Sequence, residues 1–422
     1  MGTNCTGCGS CLAVCPNDAV TVGAVSGILQ PTIDKNKCSG CELCATHCPV
    51  LRNMYLEPIR PDISRIVGRP LKTYVGFATD SLTRTNGASG GAATALLKYL
   101  LDEGIVDYVV TANQKKLVAQ PVVITESRQL SKVQGSIYFP SFITKATKEI
   151  LSNQGKCAAV GLPCQIDSLR LIEAQRKELE ERVYVHLGLF CSHTNEYWYL
   201  RYLSSRNKGI RCDPQAGSSR HGAWPGSITL ETTCGSITIE HQEFWGAIPI
   251  LNLSSPTGCL FCENHMNIHS DIAIGSLRVR VPRVMKDDVG ASTVVAYTKR
   301  GLSIVEDAKK KGDISVKEVD LRTLIESQMG SVVAKHMGVP LRRSLIRRRD
   351  LVESFHRYPV NDILISLLNL VNSYLGQRVE LRRMLCKYRV SEKALAQYQL
   401  LMQKMLLKAT TRFLRTHNER FA

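Results

Sequence analysis

Apolar and polar positions alternate in two different rhythms along the chain, which predicts a mixed α/β protein. Ala19-Val-Thr-Val and Ile28 to Ile33 flank a Gly-containing stretch and alternate residue by residue, predicting a small hairpin. Val50 to Pro70 holds three prolines and little periodicity and reads as a linker. Thr73-Tyr-Val-Gly-Phe-Ala predicts a strand. Asn86-Gly-Ala-Ser-Gly-Gly then runs into Ala92 to Leu101, a helix pattern, and Asp107-Tyr-Val-Val-Thr-Ala predicts a second strand. Strand, Gly-rich turn, helix and strand make an α/β unit. Lys156 to Val160 and Val183 to Phe190 are short apolar runs of buried strands. Ser276-Leu-Arg-Val-Arg-Val-Pro-Arg283 alternates in strand fashion and puts Arg278 and Arg280 on one face. Asn361-Asp-Ile-Leu starts an amphipathic helix, and a second helix is predicted from Ser391 to Arg415. The apolar run Ile363 to Leu375 is too short to span a bilayer and contains Asn369 and Asn372.

At 422 residues the chain can hold two or three domains. Its net charge of +17 is unevenly placed. Residues 340–422 carry 17 Lys and Arg against 6 Asp and Glu, a balance of +11. Such a segment fits an acidic partner or an anionic membrane surface, and charge alone would also allow nucleic acid. No nucleic-acid recognition motif accompanies it, so no nucleic-acid partner is expected. Sixteen cysteines with no export signal before Cys5 point to a reducing cytoplasm and anaerobic chemistry.

Cysteine spacing changes the picture most. Cys5, Cys8, Cys11 and Cys15 precede Pro16, and Cys38, Cys41, Cys44 and Cys48 precede Pro49. Both runs read C-x2-C-x2-C-x3-C-P, the ligand spacing of paired cubane clusters, in which the fourth cysteine serves the other cluster. Cys5, Cys8, Cys11 and Cys48 are therefore assigned to one 4Fe-4S centre, and Cys38, Cys41, Cys44 and Cys15 to a second. Zinc prefers two separated pairs, and disulfides an exported chain. Further on, Gly161-Leu-Pro-Cys164-Gln and Leu189-Phe-Cys191-Ser-His end predicted strands, and Cys259 and Cys262 form a CxxC pair. These four suffice for a third cluster; the competing reading makes Cys164 and Cys191 buried free thiols. Cys157, Cys212, Cys234 and Cys386 lack companions at ligand spacing and read as structural. His265 and His269 read as polar surface, and Tyr197-Trp198-Tyr199 as packing. The Gly-rich turn offers backbone N–H groups to a phosphate, or serves close helix packing.

The Gly-Ala-Ser-Gly-Gly turn, Gly135-Ser-Ile-Tyr138, Gly161-Leu-Pro-Cys-Gln, Leu189-Phe-Cys, the CxxC pair and Asp271-Ile-Ala-Ile-Gly occur in order. Together they resemble the family of coenzyme F420-reducing hydrogenase and dehydrogenase beta subunits, over about residues 70 to 330. The resemblance implies FAD held by Asn86, Ser89, Gly90, Gly91, Thr94, Gly135, Ser136 and Tyr138. It also implies a third 4Fe-4S cluster on Cys164, Cys191, Cys259 and Cys262 and makes Arg278 and Arg280 candidates for the coenzyme's phosphate and glutamate tail. Ile137 departs from a common lysine, and Ser276 from a usual acidic residue.

The expected architecture is an α/β flavin-binding core with an N-terminal α+β two-cluster ferredoxin domain and a C-terminal basic helical extension. Residues 1–56 form the ferredoxin domain, 57–72 the linker, 73–150 the FAD-binding part of the core, 151–330 the part with the third cluster, and 331–422 the extension. The expected function is an FAD and iron–sulfur oxidoreductase subunit exchanging a hydride with coenzyme F420. A deazaflavin gives up two electrons together and a cubane takes one, so a flavin must stand between them. The partner would be a larger redox complex: membrane-bound F420H2 dehydrogenase, hydrogenase, formate dehydrogenase or heterodisulfide reductase. Cytoplasmic placement, or peripheral attachment to the cytoplasmic membrane face, follows. The competing functions are a ferredoxin-linked flavoprotein reductase of another substrate and an electron-transfer adaptor without flavin chemistry.

Overall fold

The computed structural model describes residues 5–25, 28–55, 63–114, 118–206, 212–216, 219–278, 289–347, 360–376, 378, 397–402, 404, 405 and 408. The N-terminal hairpin joins β1 (Val20–Val25) to β2 (Ile28–Ile33), antiparallel, with Val20 opposite Ile33. Short helices Ser10–Val14, Leu43–Thr46 and Pro49–Tyr55 complete this module. It is seated on the rest of the chain by backbone bonds, Phe142 N–H to the Gly7 carbonyl at 2.9 Å and Thr144 N–H to the Cys8 carbonyl at 3.1 Å. Gly7 and Gly9 permit that approach: both have positive φ, and a Cβ would stand 2.3 Å from Pro140 at one and 2.6 Å from the Phe142 carbonyl at the other.

The remaining strands are, in chain order, β3 (Lys72–Ala78), β4 (Tyr108–Asn113), β5 (Gln120–Ile124), β6 (Ser136–Ile137), β7 (Cys157–Gly161) and β8 (Val183–Leu189). Then come β9 (Pro214–Ala216), β10 (Ser219–His221), β11 (Ser227–Thr232), β12 (Gly235–Glu240), β13 (Ile272–Ser276), β14 (Ser292–Ala296) and β15 (Ile314–Glu318). Eight of them form one sheet in the order β15-β3-β14-β13-β8-β7-β4-β5. The middle, β13-β8-β7-β4, is parallel; the flanking pairings are antiparallel.

Both faces of this sheet are covered, which explains why its strands read as unbroken apolar runs. Val109, Ala158, Val160 and Val294 pack on one face with Leu96 and Leu100 of the helix Ala92–Asp102 and Val305 of the helix Lys299–Lys311. Tyr108, Val110, Cys157 and Ala159 point the other way, onto Leu169 and Ile172 of the helix Pro163–Glu173. The stretch read as a linker is structured where it is described. Val50 begins the buried side of the helix Pro49–Tyr55, and Ile66 and Val67, in the helix Ser64–Val67, are buried against Ala273, Val295 and Leu324.

A second, antiparallel sheet, β12-β11-β10-β6 with β9 on β11, packs on the helix Trp198–Ser205. Tyr197, Trp198 and Tyr199 are buried there as packing residues. Cys212 and Cys234, read from sequence as companionless, form a disulfide with a Cα–Cα distance of 5.6 Å. The β9–β11 pairing brings them together across a separation of 22 residues, beyond any local spacing signal. Cys386 lies outside the described residues.

The C-terminal part, expected as a basic helical extension from residue 331, is helical where it is described, apart from residue 378. One helix, Met329–Arg347, runs across the boundary expected near residue 331, and its Arg342 and Arg343 are buried. The helix Val360–Gly376 appears as predicted, and it turns polar residues inward beside Ile363. Asp362, Ser366, Asn369, Asn372 and Ser373 face inward, while Leu364, Leu367, Val371, Tyr374 and Leu375 are exposed. The inward residues are hydrogen-bonded: Ser373 Oγ donates to the Ser255 carbonyl at 3.1 Å, and Asn252 Nδ2 donates to Asn369 Oδ1 at 3.0 Å. Of the second predicted helix, only residues 397–402, 404, 405 and 408 are described, all helical. Among the described residues no helix is long and apolar enough to cross a membrane.

One buried charged group ties the parallel strands together. His186 of β8 is 1% exposed, with Nε2 2.7 Å from Glu173 and Nδ1 3.3 Å from Asp271. Arg170 reaches the same carboxylates, at 3.2 Å to Glu173 and 3.5 Å to Asp271. Burial opposes the imidazolium, but its hydrogen bonds to the Asp271 and Glu173 carboxylates outweigh that and raise His186 above its ordinary value. A raised histidine stabilises the fold fully below its unfolded value of about 6.5 and loses that contribution as pH climbs through the higher folded value. Thermal melts from about pH 6 to 9 should therefore show stability declining on the alkaline side. The His186→Gln protein should show a flatter profile; an equal decline in both would remove His186 as the cause.

Candidate functional site

The site assembles where β7 and β8 end at their C-terminal tips, the usual place for ligands in an open parallel sheet. β7 stops at Gly161, and Pro163 begins the next helix. Gln165 reaches back to accept from the Leu162 N–H at 2.7 Å and donates to Ser141 at 2.8 Å, pinning the turn that carries Cys164. Cys164 thus stands in the first turn of an 11-residue helix, where the dipole favours a thiolate. β8 ends at Leu189, and Cys191 follows, its N–H bonded to the His265 carbonyl at 3.0 Å. Cys259 lies in the 3-10 turn Thr257–Phe261, with Cys262 directly after it.

These three segments, far apart in sequence, bring four thiols together. The Cys164 thiol feels the charges of Cys191, Cys262 and Cys259 and, from the N-terminal module, Cys8. Burial pushes Cys164 well up and Cys191 to about 11, the latter opposed by the nearby Lys335. A metal centre held there would take these sulfurs as thiolates, its own charge offsetting the burial that raises them. In the N-terminal module Cys5, Cys8, Cys11 and Cys48 act on one another, and burial lifts Cys5 and Cys11 to about 12. Cys44 interacts with Cys41, Cys15 and Cys38. Cys8 lies close enough to act on the Cys164 thiol and Cys11 on Cys44, so the first set neighbours both others. Among the described residues no three His, Cys, Asp or Glu side chains could hold a single metal ion.

Two cavities adjoin the Cys164 group. The first, about 200 Å³, is lined by the Gly-rich turn and the start of the helix Ala92–Asp102, including Ser89, Gly91 and Thr94, and by Gly135, Ser136, Ile137 and Tyr138. The helix has Gly91 at its N-cap and no side-chain cap, leaving the first-turn N–H groups to a ligand. Asn86 is exposed and Gly90 is buried; neither lines the cavity. Gly90, at φ 73°, allows Ala291 to approach, since a Cβ there would lie 2.9 Å from the Ala291 Cα. Gly91 clears the Thr83 carbonyl in the same way, so these glycines serve packing as well as the cavity.

The second cavity, about 480 Å³, shares Tyr138, Ser192, His193, Trp245, Ser276 and Arg278 with the first. Arg220, Lys335 and Arg342 also line it, at 1%, 5% and 4% exposure, and no Asp or Glu does among the described residues. Each cation meets neutral acceptors. Arg220 donates to Tyr138 at 2.6 Å, the Pro225 carbonyl at 2.9 Å and Ser276 at 3.2 Å. Lys335 donates to the Cys262 carbonyl at 2.8 Å, Arg342 to that of Leu260 at 2.7 Å, and Arg278 to Ser331 at 2.8 Å. Burial pulls Arg342 down to about 9. Ser276, where an acidic residue was usual, also accepts from Ser89 at 2.9 Å, so a wall of the cavity is neutral where a carboxylate would have paired Arg220. Arg280 lies outside the described residues.

Burial pushes His193 and His265 down to about 3 and His241 to about 4. His265 is a correction to the surface reading: it is fully buried, with Nδ1 3.0 Å from the Cys191 carbonyl and Nε2 3.3 Å from Gln328. His269 does lie at the surface, its ring 57% exposed and 2.7 Å from Asp167. Arg220, Lys335 and Arg342 were missed as site residues, because each sits far from every cysteine or glycine signal in the chain.

Residues 4–51 match a 4Fe-4S dicluster domain. Residues 73–148 match the N-terminal part, and 154–322 the C-terminal part, of the coenzyme F420 hydrogenase/dehydrogenase beta subunit. An F420H2 dehydrogenase subunit of Methanosarcina mazei is 28% identical over 285 residues, covering 65% of this chain and 75% of that protein. A coenzyme F420-dependent sulfite reductase of Methanocaldococcus jannaschii is 24% identical over 331 residues, covering 75% of this chain; the match spans 48% of that relative's length. A chain of the F420-reducing [NiFe] hydrogenase complex from Methanosarcina barkeri shares the fold, with a TM-score of 0.51 and 21% identity over 68% of this chain and 96% of its own. The chain belongs to the family of coenzyme F420 hydrogenase/dehydrogenase beta subunits and carries a 4Fe-4S dicluster domain at its N-terminal end.

Proposed function

We propose that the protein is an oxidoreductase subunit that exchanges a hydride with coenzyme F420 at a bound FAD and passes electrons singly along three 4Fe-4S clusters. The observation that carries this reading is the cationic, carboxylate-free cavity adjoining both the Gly-rich helix start and a four-thiol group. A phosphate and glutamate tail would supply the negative charge that the buried Arg220 and Arg342 lack, since buried charges require partners, and the more exposed Arg278 lines both cavities beside them. FAD, when bound, supplies the conversion between a two-electron hydride and single electrons. The uncapped start of Ala92–Asp102 and Ser89 fit its pyrophosphate, and Tyr138 and Trp245, which line both cavities at their junction, fit planar rings.

The chain's own residues set the route. Cys164, Cys191, Cys259 and Cys262 would hold the cluster nearest the cavities. Cys5, Cys8, Cys11 and Cys48 would hold the next, and Cys38, Cys41, Cys44 and Cys15 the last. Cys38 and Cys41 are exposed, which makes that end the electron exit toward a partner redox complex. The outward apolar stripe of Val360–Gly376, with the +11 balance of residues 340–422, supports a docking role for the C-terminal part. Arg342 and Arg343 take no part in such docking, because they are buried.

Anaerobically prepared protein should contain about twelve irons per chain, and Cys259→Ala about four fewer with FAD retained. Eight irons in the unaltered protein would exclude the third cluster. Thr94→Glu, which places a carboxylate at the helix start, should lose FAD while the ferredoxin-type spectrum stays; full FAD occupancy would move the pyrophosphate elsewhere. Reduction of a viologen dye by the reduced coenzyme is the activity assay. In it Arg278→Ala should raise KM roughly tenfold with kcat little changed, as expected for loss of one charged hydrogen bond to the substrate. An unchanged KM would remove Arg278 from coenzyme binding.

A further inference from the structure

The helix Met329–Arg347 begins after the family-matched residues end at 322, yet it grips the CxxC turn along one face. Lys335 donates to the Cys262 carbonyl at 2.8 Å, Arg342 to the Leu260 carbonyl at 2.7 Å, and Arg343 to the Phe261 carbonyl at 3.2 Å. Positions 335, 342 and 343 are seven and eight residues apart, so they share a helix face. The three cations differ in compensation. Arg343 pairs with Glu263 at 3.0 Å, a carboxylate that Arg65 also reaches at 3.4 Å. Lys335 and Arg342 meet carbonyl oxygens only, and Lys335 is the one whose charge reaches the thiols of both Cys191 and Cys259.

We infer that Lys335 is a positioning residue that sets the reduction potential of the third cluster, keeping it above the value it would have in an uncharged pocket. The inference rests on the assignment of Cys164, Cys191, Cys259 and Cys262 as cluster ligands. The physical reason is charge. A cubane held by four thiolates is anionic, and taking one electron adds one further negative charge. A desolvated ammonium beside it stabilises the reduced state more than the oxidised one. Net charge, hydrogen bonding and solvent exposure are the quantities that tune such clusters, and this lysine supplies the first within a water-poor setting. At 5% exposure its field is little screened by salt. Its bond to the Cys262 carbonyl fixes the ammonium at the turn rather than letting it swing through the cavity.

The consequence is directional. An electron arriving from the cavity side meets a cluster biased to accept it. The same helix also lines the larger cavity through Lys335 and Arg342, so substrate charge and cluster charge act on shared cations.

The test is an EPR-monitored redox titration of the anaerobic, fully loaded protein, with the third-cluster signal identified by its absence in Cys259→Ala. Lys335→Gln keeps a donor for the Cys262 carbonyl and removes the charge; Lys335→Arg keeps the charge. Lys335→Gln should lower the third cluster's reduced-to-oxidised ratio roughly tenfold at a fixed applied potential, about 59 mV for a one-electron couple. The other two clusters should titrate as before, and Lys335→Arg should stay with the unaltered protein. An unchanged third-cluster midpoint in Lys335→Gln overturns the inference. So does an equal shift in all clusters, or a shift in Lys335→Arg as large as in Lys335→Gln. Loss of third-cluster iron in Lys335→Gln would make Lys335 a structural residue and also overturns it. If the unaltered protein has only two clusters, the ligand assignment falls first, a failure visible before any lysine variant is titrated.

Discussion

Desolvated positive charge without a carboxylate partner is the constraint around which the interior is built. Burying a guanidinium or ammonium costs several kcal/mol unless an opposite charge or a full set of acceptors joins it. Arg220, Lys335 and Arg342 are almost fully buried around one cavity, and carbonyls and hydroxyls hold them there. That arrangement is stable enough to keep the cations in place and leaves their charge to be answered by what binds. The neutral His193 and His241 in the same cavity add no further positive charge.

The polypeptide meets this constraint by bringing carbonyl-rich turns, rather than acidic side chains, up to the cations. Leu260, Phe261 and Cys262 offer successive carbonyls to one face of the helix Met329–Arg347. Pro225 and Tyr138, from the smaller antiparallel lobe, do the same for Arg220. The lobe, the parallel sheet and the C-terminal helices therefore converge on one volume. Val360–Gly376 backs the assembly by bonding its polar face to residues 252–257, the approach to Cys259.

Features written in short spacings were legible in the sequence. The paired C-x2-C-x2-C-x3-C runs marked the 4Fe-4S dicluster domain that residues 4–51 match, because that signal lies in short spacings within one module. The strands β3, β4, β7 and β8 were visible as apolar runs, since a sheet covered on both faces needs no polar alternation. What stayed hidden depends on contacts between segments distant in the chain. His265 looks like surface until β8 places the Cys191 carbonyl beside it. The Cys212–Cys234 disulfide depends on β9 lying against β11. Arg342 and Arg343, in a run of arginines, resemble a solvated patch until the CxxC turn covers them. The inward-facing polar residues of Val360–Gly376 are hidden for the same reason: periodicity reports that a helix has two faces, not which one turns inward.

The cysteines of the N-terminal module have an inside and an outside. Cys8 and Cys11 are buried, whereas Cys38 and Cys41 stand in solvent. Oxidation of sulfur follows exposure and thiolate character. Air should therefore damage this protein from the outside inward, with Cys38 and Cys41 reacting while the deeper cysteines are still shielded. An aged sample would keep its buried thiols and lose its exposed ones. In a cell that meets oxygen, whatever covers Cys38 and Cys41 would act as armour.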